Sequence, residues 1–398
     1  MKLPPQDWTL SAGGQALMAA LDTESGATRL VGGAVRDALL GLPVSDVDLA
    51  TKFSPQEVIE RLEAAGLKAV PTGLKHGTVT AVSHGLVAEV TTLRRDVATD
   101  GRHADVAFTD DWREDAARRD FTINALNAIL PDGDMTDFFG GLDDLDARRV
   151  RFIGDPLTRI AEDHLRILRF FRFHARFAEG APDADGLAAC IARARDMMAL
   201  SRERIAGELL KMLALPDPVS TLRIMVENGI WTPILPEIDD GSVDRLAVLI
   251  ERERSVDAPP DGMRRLAALL PADAQTALRI ARQLRLSKRQ AAHLSAAAVP
   301  LTEMPGDVRS LAYYEGRDVA RDRLFLSDSS DLKAALAPLD HWQKPQLPIS
   351  GKHLIDRGLK PGPGVSAALQ RFETSWVAAG FPRDRAAVDD LITSALAG

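Results

Sequence analysis

The chain has 398 residues, 45% apolar and 27% charged, with Lys+Arg 49 against Asp+Glu 57 and a net charge of −8. That length and balance fit two or three globular domains and exclude a disordered or fibrous chain. No apolar run approaches the ~18 residues that span a bilayer, which excludes an integral helical membrane protein. The single cysteine, Cys190, excludes a disulfide framework or a cysteine-built zinc site within one chain and points to the reducing cytoplasm. Met1–Leu10 is polar with two prolines, so no leader is expected there. A chain this acidic is a poor non-specific nucleic-acid binder, and any such contact must come from local basic patches.

In chain order, 13–22 reads as a helix and 28–31 as a short strand ending in Gly32-Gly33. A helix over 34–40 follows, stopped by Gly41 and Pro43, and then a strand over 46–50. Ser54-Pro55 with Glu57 predicts a capping box and a helix to Ala65, closed by Gly66. Alternation at 77–83 and 86–93, separated by His84-Gly85, predicts a hairpin. Residues 96–105 read as polar and irregular, and 121–129 as rich in strand formers up to Pro131-Asp132-Gly133. From about Thr158 helical periods dominate: Leu165, Leu168, Phe171 and Ala175 make one apolar stripe, Ile205, Leu209 and Leu213 another. Breaks fall at 216–218, 259–260, 271 and 361–364, the last read as a turn or linker. The fold class is α+β, a mixed head followed by an all-α body, with no internal repeat.

Four constellations carry chemistry. In Gly32-Gly33-Ala34-Val35-Arg36-Asp37, glycines between a strand and a helix let a backbone approach a phosphate, and Arg36 can add a fork; the alternative is a tight turn. Asp46 and Asp48, two apart on a strand, point to one face, where two carboxylates repel unless a cation lies between them. Mg2+ suits such oxygen ligands and supports phosphoryl or nucleotidyl transfer; the alternative is a solvated acidic turn. Glu89, in an alternating strand, is the candidate third carboxylate or else an ordinary outward-facing residue. In 118–124, Arg118 and Arg119 suit triphosphate oxygens while Asp120 and Asn124 suit ribose hydroxyls, against a plain salt-bridge cluster. In 162–169, Asp163 and Arg166 stand at i and i+3 and project from one helical face. An Asp acceptor beside an Arg donor matches the edges of cytosine and adenine and mismatches guanine and uracil. The alternative is a Glu162–Arg166 salt bridge. Between Arg148 and Arg176 eight arginines face three carboxylates, a +5 stretch in a −8 chain, as expected for phosphate-bearing ligands. The phenylalanines among them read as core. Ser201 opens a further helix, whose Glu203 and Arg204 read as bracing the selecting helix. There is no G-x-x-x-x-G-K, no G-x-S-x-G and no His-Asp dipeptide.

Taken together, G-G-A-V-R-D (32–37), D-V-D (46–48), T-D-G-R-H (99–103), R-R-D-F-T-I-N (118–124), D-F-F-G-G-L-D-D-L (137–145), E-D-H-L-R-I-L-R (162–169) and the Glu203/Arg204/Glu208 pattern resemble the class II tRNA nucleotidyltransferases. These are the CCA-adding enzymes, with bacterial poly(A) polymerases as relatives, and the likeness covers roughly residues 28–210. It implies a polymerase-beta-type head (1–147), a helical neck with the nucleotide-selecting helix (148–240) and a helical body and tail that grip tRNA (241–398). It implies that Asp46 and Asp48 hold Mg2+, and that Gly32, Gly33 and Arg36, with Arg118 or Arg119, hold the nucleotide. Asp163 and Arg166 would select CTP and ATP with Arg169 assisting, and the stretch around 96–105 would govern the switch from C to A. The implied partners are the tRNA 3′ end, CTP and ATP, with no membrane and the oligomeric state left open. The alternatives are a poly(A) polymerase, a CC- or A-adding partial enzyme, and a non-catalytic RNA-binding protein of this fold.

Overall fold

In the computed structural model, residues 2–44, 46–99, 104–301 and 307–397 are described. The chain divides into two compact units, one of residues 1–200 with 227–234, the other of 201–226 with 235–398. The first opens with α1 (Asp7–Leu10), α2 (Ala12–Ala20), β1 (Thr28–Val31), α3 (Gly33–Leu39), β2 (Val47–Thr51), α4 (Pro55–Ala64), β3 (Lys68–Gly73), β4 (Thr78–Ser83) and β5 (Leu86–Thr92). Then come β6 (Arg94–Thr99), β7 (Ala104–Phe108), α5 (Trp112–Ala117), β8 (Asn127–Ile129), β9 (Asp134–Thr136), α6 (Gly141–Asp146), α7 (Pro156–Glu162), α8 (Arg166–Phe177) and α9 (Ala184–Arg193).

Seven strands form one sheet in the order β3-β4-β5-β2-β1-β8-β9. Its β2–β5 pair is parallel, with Asp48 opposite Glu89, and its other pairs are antiparallel. Leu30, Leu49, Val79 and Val90 are among its buried apolar residues, each worth about 1.5–3 kcal/mol on burial. Helix α4 begins as the sequence predicts: the Ser54 hydroxyl accepts from Glu57 N–H and the Glu57 carboxylate accepts from Ser54 N–H, while Val58 and Leu62 are buried. His84 and Gly85 take φ of 48° and 88°, the primed turn that joins β4 to β5.

Three local expectations are corrected. Strand β2 begins at Val47, so Asp46 lies just before it rather than within it. The polar stretch expected to be irregular instead pairs β6 with β7 as a two-stranded ladder, from Arg94 opposite Phe108 to Thr99 opposite Ala104. Ladder bonds are a backbone property, so polar side chains do not forbid them. The tip of this stretch, 100–103, lies outside the described residues. Thr122–Asn124 is a 3₁₀ turn, not strand, because the Thr122 side chain is tied to Asp144 and Asn124 N–H bonds to Phe121 O.

The second unit holds α10 (Arg202–Leu213), α11 (Val219–Glu227), α12 (Asp240–Ser255), α13 (Gly262–Leu269), α14 (Ala274–Gln283), α15 (Lys288–Ala297), α16 (Val308–Glu315) and α17 (Arg317–Phe325). It ends with α18 (Leu332–Leu336), α19 (Gly351–Asp356), α20 (Pro363–Ala378) and α21 (Arg385–Ala397). The predicted proline breaks fall between helices, but Pro363 opens α20, where its missing N–H is harmless. Ile205, Leu209 and Leu213 are fully buried, and Glu203 pairs with Arg285 at 3.0 Å. Near the C-terminus Phe372, Trp376, Leu354 and Ile392 form an apolar cluster with Tyr313 of α16. Among the described residues no helix is long and apolar enough to cross a membrane.

The centre of this unit is charged. The Arg264 and Arg265 guanidiniums each reach Glu253 at 2.7 Å, Arg264 also meets Asp322 at 3.4 Å, and His293 Nε2 lies 2.7 Å from the other Asp322 oxygen. The Asp322 hydrogen bond raises the His293 pKa against the effect of burial, with Asp322, Asp261 and Asp318 charges adding to it. A raised folded-state pKa means that the pairing stabilises fully below the unfolded value of about 6.5 and fades as pH rises through the folded value. His293→Ala therefore lowers the thermal midpoint more at pH 5.5 than at pH 9. Equal losses at both pH values in a melting series would contradict this.

Candidate functional site

The site is built where β1 ends and α3 begins. Gly32 takes φ of +66°, which favours glycine, and a Cβ there would lie 2.6 Å from Arg119 Nη1 and displace that guanidinium. Arg119 is held over this turn by Asp115 at 3.4 Å and by the Asn124 carbonyl at 3.3 Å. Asp115 is nearly buried, which would raise its pKa, but Arg119 and Arg118 hold it below the ordinary carboxylate range. Asp115 also accepts from Arg118 Nε at 3.0 Å, so both arginines of the R-R pair are oriented by one carboxylate.

Asp48 stands opposite Glu89 on the β2–β5 pair, and Asp46 lies two residues before Asp48. Burial pushes the Asp48 carboxyl up to about 6, Glu89 across the parallel pair adds to the rise, Arg119 opposes it, and Asp46 adds further. Each of these side chains is thus electrostatically within reach of Asp48. These carboxylates suit a hard divalent cation, because a bound cation would offset both the burial of the Asp48 charge and its repulsion by Glu89 and Asp46. Among the described residues no three or more His, Cys, Asp or Glu side chains are grouped so that together they could hold a metal ion, so the protein offers at most a pair of carboxylates here. Mg2+ accepts that arrangement, since it binds through one or two carboxylates and leaves its other positions to water and substrate phosphates.

The structure places other predicted residues differently. Arg36 is 5% exposed. Its Nε and Nη2 donate to Asp37 at 2.8 and 2.7 Å, its Nη1 donates to Asn124 Oδ1, and its plane lies 4.1 Å from the Phe177 ring. Burial lowers its pKa and Asp37 partly restores it. Asp120 and Asn124 are each 7% exposed and bond to one another at 2.9 Å. Asp120 also accepts from Arg169 Nε at 2.7 Å. Burial would raise Asp120, but Arg169 and Asn124 hold it below the usual range. These groups are braced inside the protein rather than turned toward a ribose.

Asp163 and Arg166 do not share a helix. Helix α7 stops at Glu162, Asp163 is extended at φ −154°, and α8 starts at Arg166. The Asp163 carboxylate accepts from Leu165 N–H at 3.1 Å, a local bond that competes with helix continuation. Arg166 stands at the first turn of α8 and is held by three acceptors: the Glu162 carboxylate, the Arg159 carbonyl at 2.8 Å and the Arg118 carbonyl at 3.2 Å. The Glu162–Arg166 pair expected as the plain alternative is present, and it orients the guanidinium. Phe170, Phe171 and Phe173 are core: Phe170 packs on Phe121 and Phe152 at 6.2 and 5.3 Å, Phe173 on Phe121 at 5.2 Å, and Phe171 on Phe170 at 5.3 Å.

Sequence reading missed three bracing residues: Asp37, Asp115 and Asp144. Asp144 is fully buried and accepts from Thr122 Oγ1 at 2.6 Å, Arg149 Nε at 2.8 Å and Arg151 Nε at 3.0 Å, which makes the D-D of 143–144 a scaffold for the 122–124 turn. Asp115 was open to the i,i+3 and i,i+4 rule. Asp37 and Asp144 bond outside that spacing, and only packing reveals them.

Comparison with known proteins shows the family. Residues 28–151 match the family described as poly A polymerase head domain, and residues 182–241 match that described as probable RNA and SrmB- binding site of polymerase A. The mitochondrial CCA tRNA nucleotidyltransferase 1 of Danio rerio is 37% identical over 370 residues, covering 87% of this chain and 83% of that protein. The CCA-adding enzyme of Levilactobacillus brevis is 32% identical over 383 residues, covering 91% and 92%. Among solved structures, the Bacillus stearothermophilus CCA-adding enzyme in complex with CTP superposes with a TM-score of 0.69 at 24% identity, covering 96% of this chain and 98% of that one. The Thermotoga maritima CCA-adding enzyme complexed with tRNA gives 0.65 at 21% identity, covering 96% and 94%. These two likenesses establish the fold, a polymerase-beta-type head followed by helices. Full-length identity to curated relatives, with head and RNA-binding regions matched in order, establishes that this chain belongs to the family of CCA-adding tRNA nucleotidyltransferases.

Proposed function

We propose that the side chains gathered around Gly32 and β2 build and repair the 3′-terminal CCA of tRNA, with Asp46 and Asp48 as the ligands of Mg2+. The chain is a nucleotidyltransferase that adds CCA to tRNA from CTP and ATP without a nucleic-acid template, as its curated relatives do. The observation that carries the site assignment is the parallel β2–β5 register, which sets Asp48 opposite Glu89 with Arg119 acting on the same carboxyl.

The tRNA 3′-hydroxyl attacks the α-phosphate and pyrophosphate leaves. Asp46 and Asp48 would hold the cation, with the Glu89 carboxylate opposite Asp48 adding negative charge. Mg2+ held there would supply acidification of the attacking hydroxyl and screening of the departing pyrophosphate. Gly32 and Gly33 let the phosphates come close to the backbone at the start of α3. Arg119 neutralises phosphate charge above that turn and Arg118 assists. Arg36, Asp120 and Asn124 hold the cradle together. Asp163 accepts from, and Arg166 donates to, the Watson–Crick edge of C or A, and Arg169 anchors α8, the helix that Arg166 begins. The division into head (1–147), neck (148–240) and body/tail (241–398) is kept as a functional one, with the last gripping tRNA. The stretch around 96–105 governs the change from C to A, and the single buried cysteine fits the cytoplasm as its location.

The test offers the protein a tRNA ending at its discriminator base, with Mg2+ and each nucleoside triphosphate alone or CTP with ATP, and sizes the products. We expect C addition with CTP alone and a ladder ending at three residues with both. Long A-tracts would make the chain a poly(A) polymerase, and no extension would make it a non-catalytic RNA binder.

A further inference from the structure

A chain of polar contacts leaves α8 and returns to it through the head. Arg176 Nη2 lies 3.3 Å from Asp37 Oδ2. The other Asp37 oxygen takes Arg36 Nε and Nη2, Arg36 Nη1 donates to Asn124, and Asn124 Nδ2 donates to Asp120 at 2.9 Å. Asp120 then accepts from Arg169 at 2.7 Å. Arg169 and Arg176 are seven residues apart, two turns on one face, so α8 is pinned at two points about 10 Å apart. Asp37 belongs to α3, whose first residues form the phosphate cradle, and α8 begins with the base-reading Arg166. Arg36, Asn124 and Asp120 are buried, so each inner link has only one well-satisfied arrangement.

We propose that the Arg176–Asp37 ion pair is a positioning contact for base selection, fixing the distance between the phosphate cradle on α3 and the base reader at the start of α8. The proposal rests on the assignment of Asp163 and Arg166 as that reader. With one anchor α8 is free to pivot about Arg169; with two it is not. Edge-reading hydrogen bonds weaken within a few tenths of an ångström and a few tens of degrees. Charge neutralisation of a triphosphate falls off only gradually with distance. Loosening the second anchor therefore weakens discrimination between bases far more than it weakens nucleotide binding.

The experiment measures kcat and KM for CTP and UTP on tRNA lacking CCA, with full-length protein. Arg176 is 40% exposed at its side chain, so Arg176→Ala leaves the fold intact, which a thermal melt verifies. We expect its CTP-over-UTP preference in kcat/KM to fall about tenfold while KM for CTP stays within about threefold. Arg176→Lys keeps the ion pair and recovers most of the preference. Asp37→Asn gives the same loss, and Asp37→Asn with Arg176→Ala is no worse than either alone. The Asp37 arm separates positioning from phosphate binding, because a carboxylate binds no phosphate. A rise in KM for tRNA with unchanged base preference would overturn the proposal. Arg166→Ala serves as the control: if it too leaves the preference intact, the base-reading assignment fails; if it abolishes the preference and Arg176→Ala does not, the positioning role alone falls.

Discussion

Replacing Asp46 or Asp48 by alanine abolishes nucleotide incorporation, with a loss of about 10³-fold or more, because the charge that holds the cation and stabilises the transition state is removed at its source. Asp48 also yields a signature independent of turnover. Its folded-state pKa of about 6 lies above the ordinary carboxylate value of 3.8, so the native protein binds this proton more tightly than the unfolded chain. The metal-free fold thus loses stability as pH rises between those two values and carries the full penalty above 6. Asp48→Asn removes the charge and the penalty together. In the absence of divalent metal its thermal midpoint at pH 7.5 exceeds the parent's by a few degrees, roughly what one kcal/mol gives in a protein of this size, and the difference vanishes near pH 4. Added Mg2+ raises the parent's midpoint and leaves that of Asp48→Asn unmoved. Incorporation near the parent's rate by either alanine variant, or an equal Mg2+ shift in Asp48→Asn, would remove the metal assignment.

Arg166→Ala loses base selection. A bidentate edge contact discriminates by about 1–3 kcal/mol, so the preference for CTP over UTP and for ATP over GTP falls roughly 5- to 150-fold while incorporation of the wrong bases rises in relative terms. Arg166→Lys does not restore it, because an ammonium lacks the planar fork that donates to a base edge while also meeting Glu162 and the two carbonyls. Asp163→Ala removes the acceptor half and gives a loss of similar size. Its carboxylate also accepts from Leu165 N–H, so Asp163→Asn, which keeps an acceptor there, separates the local cap from base reading. Single-nucleotide incorporation with all four triphosphates measures each preference, and unchanged ratios in Arg166→Ala would refute the assignment.

Much of this protein was legible before its structure. The Ser54–Glu57 box, the His84-Gly85 turn and the proline breaks at 216–218, 259–260 and 271 are local signals, decided within four residues of chain, and each is found where it was read, whereas the one at 361–364 runs into the start of α20. The ordered motifs identified the family. The reading failed where a local rule met a local competitor. Asp163 looked like a helical neighbour of Arg166 because the spacing is i, i+3, but its carboxylate bonds to Leu165 and ends the helix there. The polar stretch beyond Leu93 looked irregular because side-chain alternation is silent about backbone ladders between β6 and β7.

By itself, the sequence determined which chemical groups are present and in what order: a Gly-Gly turn, two carboxylates ahead of a hairpin, an arginine pair, and a basic run in an acidic chain. Only the tertiary structure decided which acceptor each arginine meets. Arg36 meets Asn124 across 88 residues, Arg169 meets Asp120 across 49, and Arg176 meets Asp37 across 139. Helical and strand periodicities relate residues only a few positions apart, whereas these partners are chosen by the packing of α3, α8 and the 118–124 segment around one buried core. A guanidinium that reads from sequence as a phosphate clamp becomes a strut when that core closes over it.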